Sequence, residues 1–220
     1  MSITFSVAPE LARLGVIVKA ALFVGPVIKK KNIDLENAIR TLHVSESMLH
    51  DPILQAYSDL HAHSGVHGFF PGAESLIRYL LKNGTLPNVN CVVDAYNLVS
   101  AESLLSIGAH DAEHLDGNLV IRPAKGDEHF VPLGSTKPQP VKKGEYVCTD
   151  EEKVICWLDI RQCAETKITG KTKAYLVYLQ GNRNTSDAYL GRYLEKIIDY
   201  QTRFCGSRPV KRIEAAAHEA

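Results

Sequence analysis

The hydrophobic rhythm of the chain changes once, near residue 105, and that change limits the folds open to it. Before it, apolar residues recur at helical spacing. Ile33, Leu35, Ala38, Ile39 and Leu42 make one such stripe between Asn32 and His50, with Asn32 or Asp34 as its cap. Leu76, Ile77, Leu80 and Leu81 make a second after Pro71-Gly72, with Lys82 in its last turn and Gly84 just past its end. Val92 to Leu105 joins a short apolar run to a helix-compatible tail. An early strand is expected where Val16, Val18, Ala20 and Leu22 alternate. After the change come short β-rich runs: Asn118–Arg122, His129–Leu133, Tyr146–Cys148, Val154–Trp157 and Ala174–Tyr178, separated by turns at Gly126, Gly134, Gly144 and Gly170. Ser186 then caps a closing helix striped by Leu190, Tyr193, Leu194, Ile197, Ile198 and Phe204, with Gly206 at its end. Helices, a run of strands and one last helix predict an α+β domain with a mixed β-sheet packed with helices. Residues 1–206 are read as a single domain, with Ser135–Lys143 as an exposed loop inside it and 207–220 as a flexible tail.

The 220 residues suffice for one substantial core, and 45% are hydrophobic. Lys plus Arg and Asp plus Glu are both 25, so the formal charge is zero. That balance argues against attachment to nucleic acid by bulk charge but leaves room for a local basic face, with Lys29–Lys31 and Arg208–Arg212 as short basic clusters. No apolar run approaches the roughly 20 residues that span a bilayer. The start, Met-Ser-Ile-Thr-Phe, lacks the features of a secretory leader. Five scattered cysteines (Cys91, Cys148, Cys156, Cys163, Cys205) read as reduced thiols, so a cytoplasmic location is expected.

The densest polar constellation lies between Asp94 and Arg122: Asp94, Tyr96, Asn97, His110, Asp111 and Arg122, interleaved with Val92, Val93, Leu98 and Val99. Apolar walls with a few directed donors and acceptors are what a ligand cleft needs. Asn97 can donate and accept, His110 can work near neutral pH, and Arg122 offers a fork for carboxylate or phosphate. The plain alternative is that Asp94 and Asn97 cap a helix while His110 sits in a turn. Two metal patterns occur in the sequence. His110-Asp-Ala-Glu-His114 matches H-x-x-E-H, but Gly108 and Gly117 leave barely two turns of helix for it. His61, His63 and His67 form the other, and Ser64-Gly65 places them in a polar loop. No metal or other cofactor is expected.

Val92-Val-Asp-Ala-Tyr-Asn-Leu-Val-Ser100, followed by Ile107-Gly-Ala-His-Asp111, resembles the V-D-x-x-N-x-V … H-x-x-D region of the editing (B-three/B-four) domain of the phenylalanyl-tRNA synthetase beta chain. His114-Leu-Asp-Gly-Asn-Leu-Val-Ile-Arg-Pro-Ala124 is similar to that family's K-L-x-G-x-I-x-V-R-x-A. Gly126-Asp-Glu128 and Pro132-Leu-Gly134 follow in order. Pro71–Arg78 and Leu86–Asn90 look like the free-standing branch. The likeness is strongest over 65–181. It implies hydrolysis, in trans, of the ester joining a wrong amino acid to the tRNA 3′ end. Asn97 and His110 would roof the pocket as catalytic residues, His110 holding the terminal adenosine or a water. Glu74, Asp94, Tyr96, Asp111, Arg122, Trp157 and Tyr178 would shape substrate binding. The partner implied is aminoacylated tRNA, with neither DNA nor a membrane.

The chain departs from the family where Trp157-Leu-Asp-Ile160 replaces Gly-rich residues, and where Leu176-Val-Tyr178 replaces a glutamate that reads the amino acid's hydroxyl. The family's amino acid specificity therefore does not transfer. Three alternatives stay open: a non-catalytic module binding an amino acid or aminoacyl ligand, an RNA-binding accessory, and a metal-dependent hydrolase using His110, Glu113 and His114.

Overall fold

The computed structural model describes residues 3–217. In chain order the elements are β1 (Phe5–Val7), α1 (Pro9–Arg13), β2 (Ile17–Val24), α2 (Ile33–Arg40), α3 (Pro52–His63), α4 (Gly72–Asn83), α5 (Cys91–Ser103), β3 (Ser106–Asp111) and β4 (Leu119–Pro123). Then follow β5 (His129–Phe130), β6 (Gln139–Pro140), β7 (Tyr146–Thr149), β8 (Val154–Trp157), β9 (Arg161–Gln162), β10 (Ala174–Gly181), α6 (Asp187–Cys205), β11 (Arg208–Glu214) and β12 (Ala216–Ala217).

Two main sheets result. One has the order β11-β2-β10-β3, antiparallel throughout. The other has the order β12-β1-β4-β7-β8-β9 and is mixed, because β1 runs parallel to both β12 and β4. The pair β5 and β6 forms a small ribbon. The fold is thus α+β, with mixed sheets packed against helices.

The four-stranded sheet lies between two layers, and its side chains divide by parity as a pleated strand requires. Ala21 and Phe23 of β2 and Tyr175, Val177 and Leu179 of β10 pack with the helices. Val18, Ala20 and Leu22, with Leu176 and Tyr178, pack against the six-stranded sheet. Both faces are buried, so β2 carries apolar residues at successive positions as well as alternate ones.

The capping signals act as expected. Asn32 Oδ1 accepts from Leu35 N at 3.1 Å, and Ser186 accepts from Tyr189 N at 3.1 Å. Gly84 and Gly206 end their helices with φ of 70° and 63°, backbone that glycine adopts without a Cβ clash. Four segments differ from expectation. The helix expected to His50 stops at Arg40; of its stripe only Leu35 is buried within α2 while Ile33 is exposed, and a 3-10 turn occupies Glu46–His50. Residues 92–105 are helical nearly throughout, since Asn90 accepts from both Val92 N and Val93 N. The strand expected at His129–Leu133 is only the two residues of β5. The segment read as a flexible tail instead supplies β11, which pairs with an edge of β2 that would otherwise present unpaired backbone groups, and β12; residues 218–220 lie outside the described part.

Candidate functional site

A cleft of about 440 Å³ opens where α4 and α5 meet β3, β10 and the segment 156–162. The helices bring Tyr96 and Asn97 from α5, one after the other on a turn pinned by the Asn90 cap. Tyr178 comes from β10, opposite Gly108 of β3 in the ladder. Gly108 is required there: a Cβ would stand 2.7 Å from Gln162 Nε2 and 2.8 Å from Tyr178 Cε1, inside van der Waals contact. Burial drives the Tyr96 phenol well above its usual range, partly opposed by a hydrogen bond with Gln162. Burial does the same to Tyr178. Both are therefore neutral donors at physiological pH.

The floor of the cleft is a buried ion-pair network. Asp159 Oδ1 pairs with His61 Nε2 and accepts from Tyr146 Oη at 3.0 Å, while Oδ2 accepts from Gly72 N at 3.0 Å. Burial alone would raise this carboxyl, yet the His61 hydrogen bond and charge, with the Gly72 and Tyr146 donors, hold it below its usual range. Gln180 Nε2 extends the chain to Tyr146 Oη at 3.3 Å, and Tyr57 Oη donates to the Gln180 carbonyl. Leu158, just before Asp159, has φ 51°, a strained conformation for leucine that the surrounding packing imposes. Among the described residues, His61 Nδ1 has no hydrogen-bond partner.

The residues singled out from sequence are not all gathered here. Tyr96, Asn97 and Tyr178 line the cleft. His110 does not reach it: the ring is fully buried, stacked on Tyr178 at 5.7 Å and 8°, with Nδ1 2.6 Å from Thr166 Oγ1. Burial lowers its pKa to about 3 against a weak opposing pull from Asp150, so it is neutral. Direct contact of His110 with an adenosine is thus incompatible with this arrangement. Asp111 is buried among Thr172 Oγ1 (2.6 Å) and Glu113 N (3.0 Å). Asp94 faces a different pocket beside Lys30 and Arg40, where burial pushes it up to about 6 despite the Val89 N–H. Glu74 turns to Arg78 at 2.7 Å on another face of α4. Arg122 pairs with Glu128 at 2.6 Å on β4. Trp157 lies at the neighbouring edge, its Nε1 donating to Glu145 at 2.8 Å.

Neither metal pattern survives as drawn. His110 ends a strand and is buried, while His114 closes a 3-10 turn with its side chain half exposed, so they share no helix face. His61 lies in α3, not in a loop, and spends Nε2 on Asp159. Sequence reasoning missed the Asp159–His61 pair, Gly108, Gln162 and the Gly72 donor. The Asp51-Pro52 start of α3, whose Asp51 Oδ1 accepts from Ile53 N at 2.8 Å, was the signal that could have put His61 on a helix.

The two-sheet α+β scaffold carries this cleft at the end of its sheet-to-sheet interface. The model of the B3/4 domain matches residues 62–220, and the chain belongs to that family. It is similar to the phenylalanine–tRNA ligase beta subunit of Fusobacterium nucleatum, 34% identical over 89 residues, which are 40% of this chain and 11% of that protein. The beta subunit of Mycoplasma genitalium is 31% identical over 96 residues, 44% of this chain and 12% of that protein. The matched segment thus spans about an eighth or less of these relatives. In fold the chain resembles an N-terminal fragment of the phenylalanyl-tRNA synthetase beta subunit of Pyrococcus horikoshii, with a TM-score of 0.53 and 14% identity, covering 98% of this chain and 55% of that one. No helix among the described residues is long and apolar enough to cross a membrane.

Proposed function

We propose that this domain binds the aminoacylated 3′ end of tRNA in the cleft lined by Tyr96, Asn97, Gly108, Gln162 and Tyr178, and hydrolyses the ester of wrongly charged tRNA in trans. The observation that carries this reading is the cleft itself. It brings neutral, directed hydrogen-bond groups together above a rigid ion-paired floor, in a domain whose relatives are tRNA ligase subunits. Water attacks the ester carbonyl carbon, the acyl–oxygen bond breaks, and the electron pair and a proton leave with the ribose hydroxyl of the tRNA. An aminoacyl ester is already activated, so positioned water and donors toward the developing oxyanion supply much of the rate. Asn97, which lines the cleft and carries an amide N–H₂, takes that role. His110 acts through Tyr178, fixing that ring from behind, and is a positioning residue. Glu74, Asp94, Asp111 and Arg122 have no direct part in this reading, because each faces a partner elsewhere.

A second reading is favoured by one feature. Asp159 of the cleft is already held by His61, and His110 is neutral and enclosed, so among the described residues no free carboxylate or imidazole lines the cleft to act as general base. A domain that captures an aminoacyl group without turning it over fits that feature.

Release of labelled amino acid from a panel of correctly and wrongly charged tRNAs separates the two. Hydrolysis predicts selective release that Asn97→Ala slows at least about tenfold, or ~1.4 kcal/mol of barrier. No release from any pair, with charged tRNA still bound, leaves the capture module.

A further inference from the structure

Beside the cleft lies a second pocket, of about 530 Å³, within the range of about 300–1,000 Å³ typical of small-ligand sites. It is built on two aromatic rings, Phe69 and Trp157, 5.2 Å apart at 86°. A perpendicular pair leaves ring faces that the partner does not cover, unlike the parallel His110–Tyr178 pair of the interior. Phe69 is 48% exposed, although such a ring gains by burial, and it sits in the loop between α3 and α4 after Gly68, whose φ is 81°. The Trp157 indole is held by the Glu145 carboxylate, which also accepts from Lys142 N at 3.1 Å, so its plane is fixed before any ligand arrives.

The charge around the rings is lopsided. His67, Lys142 and Arg161 line the pocket, and none of their side chains makes an ion pair among the described residues. Among the described residues the single carboxylate lining the pocket, Glu145, is committed to Trp157. Arg161 lines this pocket and the cleft alike, so one chain of ligand can pass from one to the other.

From this juxtaposition we propose that the Phe69–Trp157 pocket takes an unpaired nucleobase of the RNA 3′ end by stacking, with Arg161 and Lys142 on the adjoining phosphate, while the acyl group occupies the cleft. Aromatic faces beside cations are the chemistry that recognises a single-stranded nucleotide without reading a duplex. The neutral total charge fits this, because affinity then rests on a few local contacts rather than on bulk attraction. The proposal rests on the tRNA reading of the cleft but is tested without hydrolysis.

Trp157 is the sole tryptophan, so its fluorescence reports the pocket directly. The full chain is titrated with an uncharged acceptor-stem RNA carrying its single-stranded 3′ end, and with the same RNA lacking its unpaired 3′ nucleotides. The intact RNA is expected to quench Trp157, with at least about tenfold weaker binding for the shortened RNA and for Phe69→Ala. Phe69 is exposed, so its removal leaves the fold intact, and Lys142→Gln gives a second, milder loss. Equal quenching by both RNAs, or none by either, overturns the proposal. If charged tRNA is never deacylated while this quenching holds, the hydrolase reading falls and the base pocket stands. Deacylation with an unchanged KM in Phe69→Ala removes the pocket and leaves the hydrolase.

Discussion

Across β2, β10 and β3 the two faces of the four-stranded sheet are both buried, but they are covered by different materials. The helix face is closed mainly by apolar side chains such as Ala21, Phe23, Val177 and Leu179 against α4, α5 and α6. Its buried polar groups include Tyr175, bonded to Gln201 and Ser207, and Lys19, whose ammonium reaches the sheet's margin to pair with the exposed carboxylates Asp187 and Glu214. The face toward the six-stranded sheet holds Tyr178 and His110, and its border holds the Asp159–His61–Tyr146 network. Apolar packing tolerates small changes of shape, whereas a buried charge tolerates no loss of its partner. The cleft lies where the second kind of packing ends. Both layers line the cleft, Tyr96 and Asn97 from α5 and Tyr178 from β10, while Asp159 ties it to the less forgiving chemistry.

The sharpest way to break this contrast is Asp159→Ala. It strands His61, Tyr146 Oη and Gly72 N in the interior, and a loss of about 3–5 kcal/mol is expected in urea unfolding. The wild-type carboxyl has a depressed folded pKa, so its contribution is present above the unfolded value near 3.9 and is lost as pH falls through the lower folded value. The Asp159→Ala variant is expected to lack that acid-limb step. Gly108→Ala comes next. Its methyl presses on Gln162 and Tyr178, for about 1–3 kcal/mol of stability and at least about tenfold in ligand affinity. On the helix face Ile77→Val, at a fully buried position of α4, is expected to cost only about 0.5–1.5 kcal/mol and to leave the cleft's ligand binding unchanged. An equal effect on binding from Ile77→Val would erase the distinction between the faces.

The smallest effect is electrostatic. Burial alone would raise Glu128, but the Lys125 and Gly126 N–H groups and Arg122 bring its pKa down to about 2. Its stabilisation is present above about pH 4.5 and fades toward pH 2, and Glu128→Gln should remove on the order of 1 kcal/mol at pH 7 and little at pH 2. His110, with a folded pKa of about 3, should show no NMR titration between pH 5 and 8. The unfolded chain takes up that proton near pH 6.5, so the contribution of neutral His110 is lost progressively as pH falls from there to about 3.

Much of the scaffold was legible because its signals are local. Asn32, Ser186, Gly84 and Gly206 each act within a few residues, and the strands at 119–123, 146–149, 154–157 and 174–181 carry their own pattern. The site was legible only in part. Tyr96 and Asn97 share a helix turn, but Glu74, Asp94, Asp111 and Arg122 scattered once the chain folded. The reason is that closeness in sequence along α5, β3 and β4 says nothing about which face each side chain takes. The Asp159–His61 pair spans 98 residues and β11 pairs with β2 across the whole chain, so neither leaves a local trace. His110 shows the opposite error: a histidine at a strand end looks available until two sheets close over it.

Amide chemical-shift mapping with a non-hydrolysable aminoacyl-adenosine amide tests most directly whether ligand enters at the end of the sheet-to-sheet interface. Shifts are expected at Gly72, Asn97, Gly108 and Gln162. Shifts confined to the pocket of Lys30, Arg40 and Asp94, or none at saturating ligand, would contradict it.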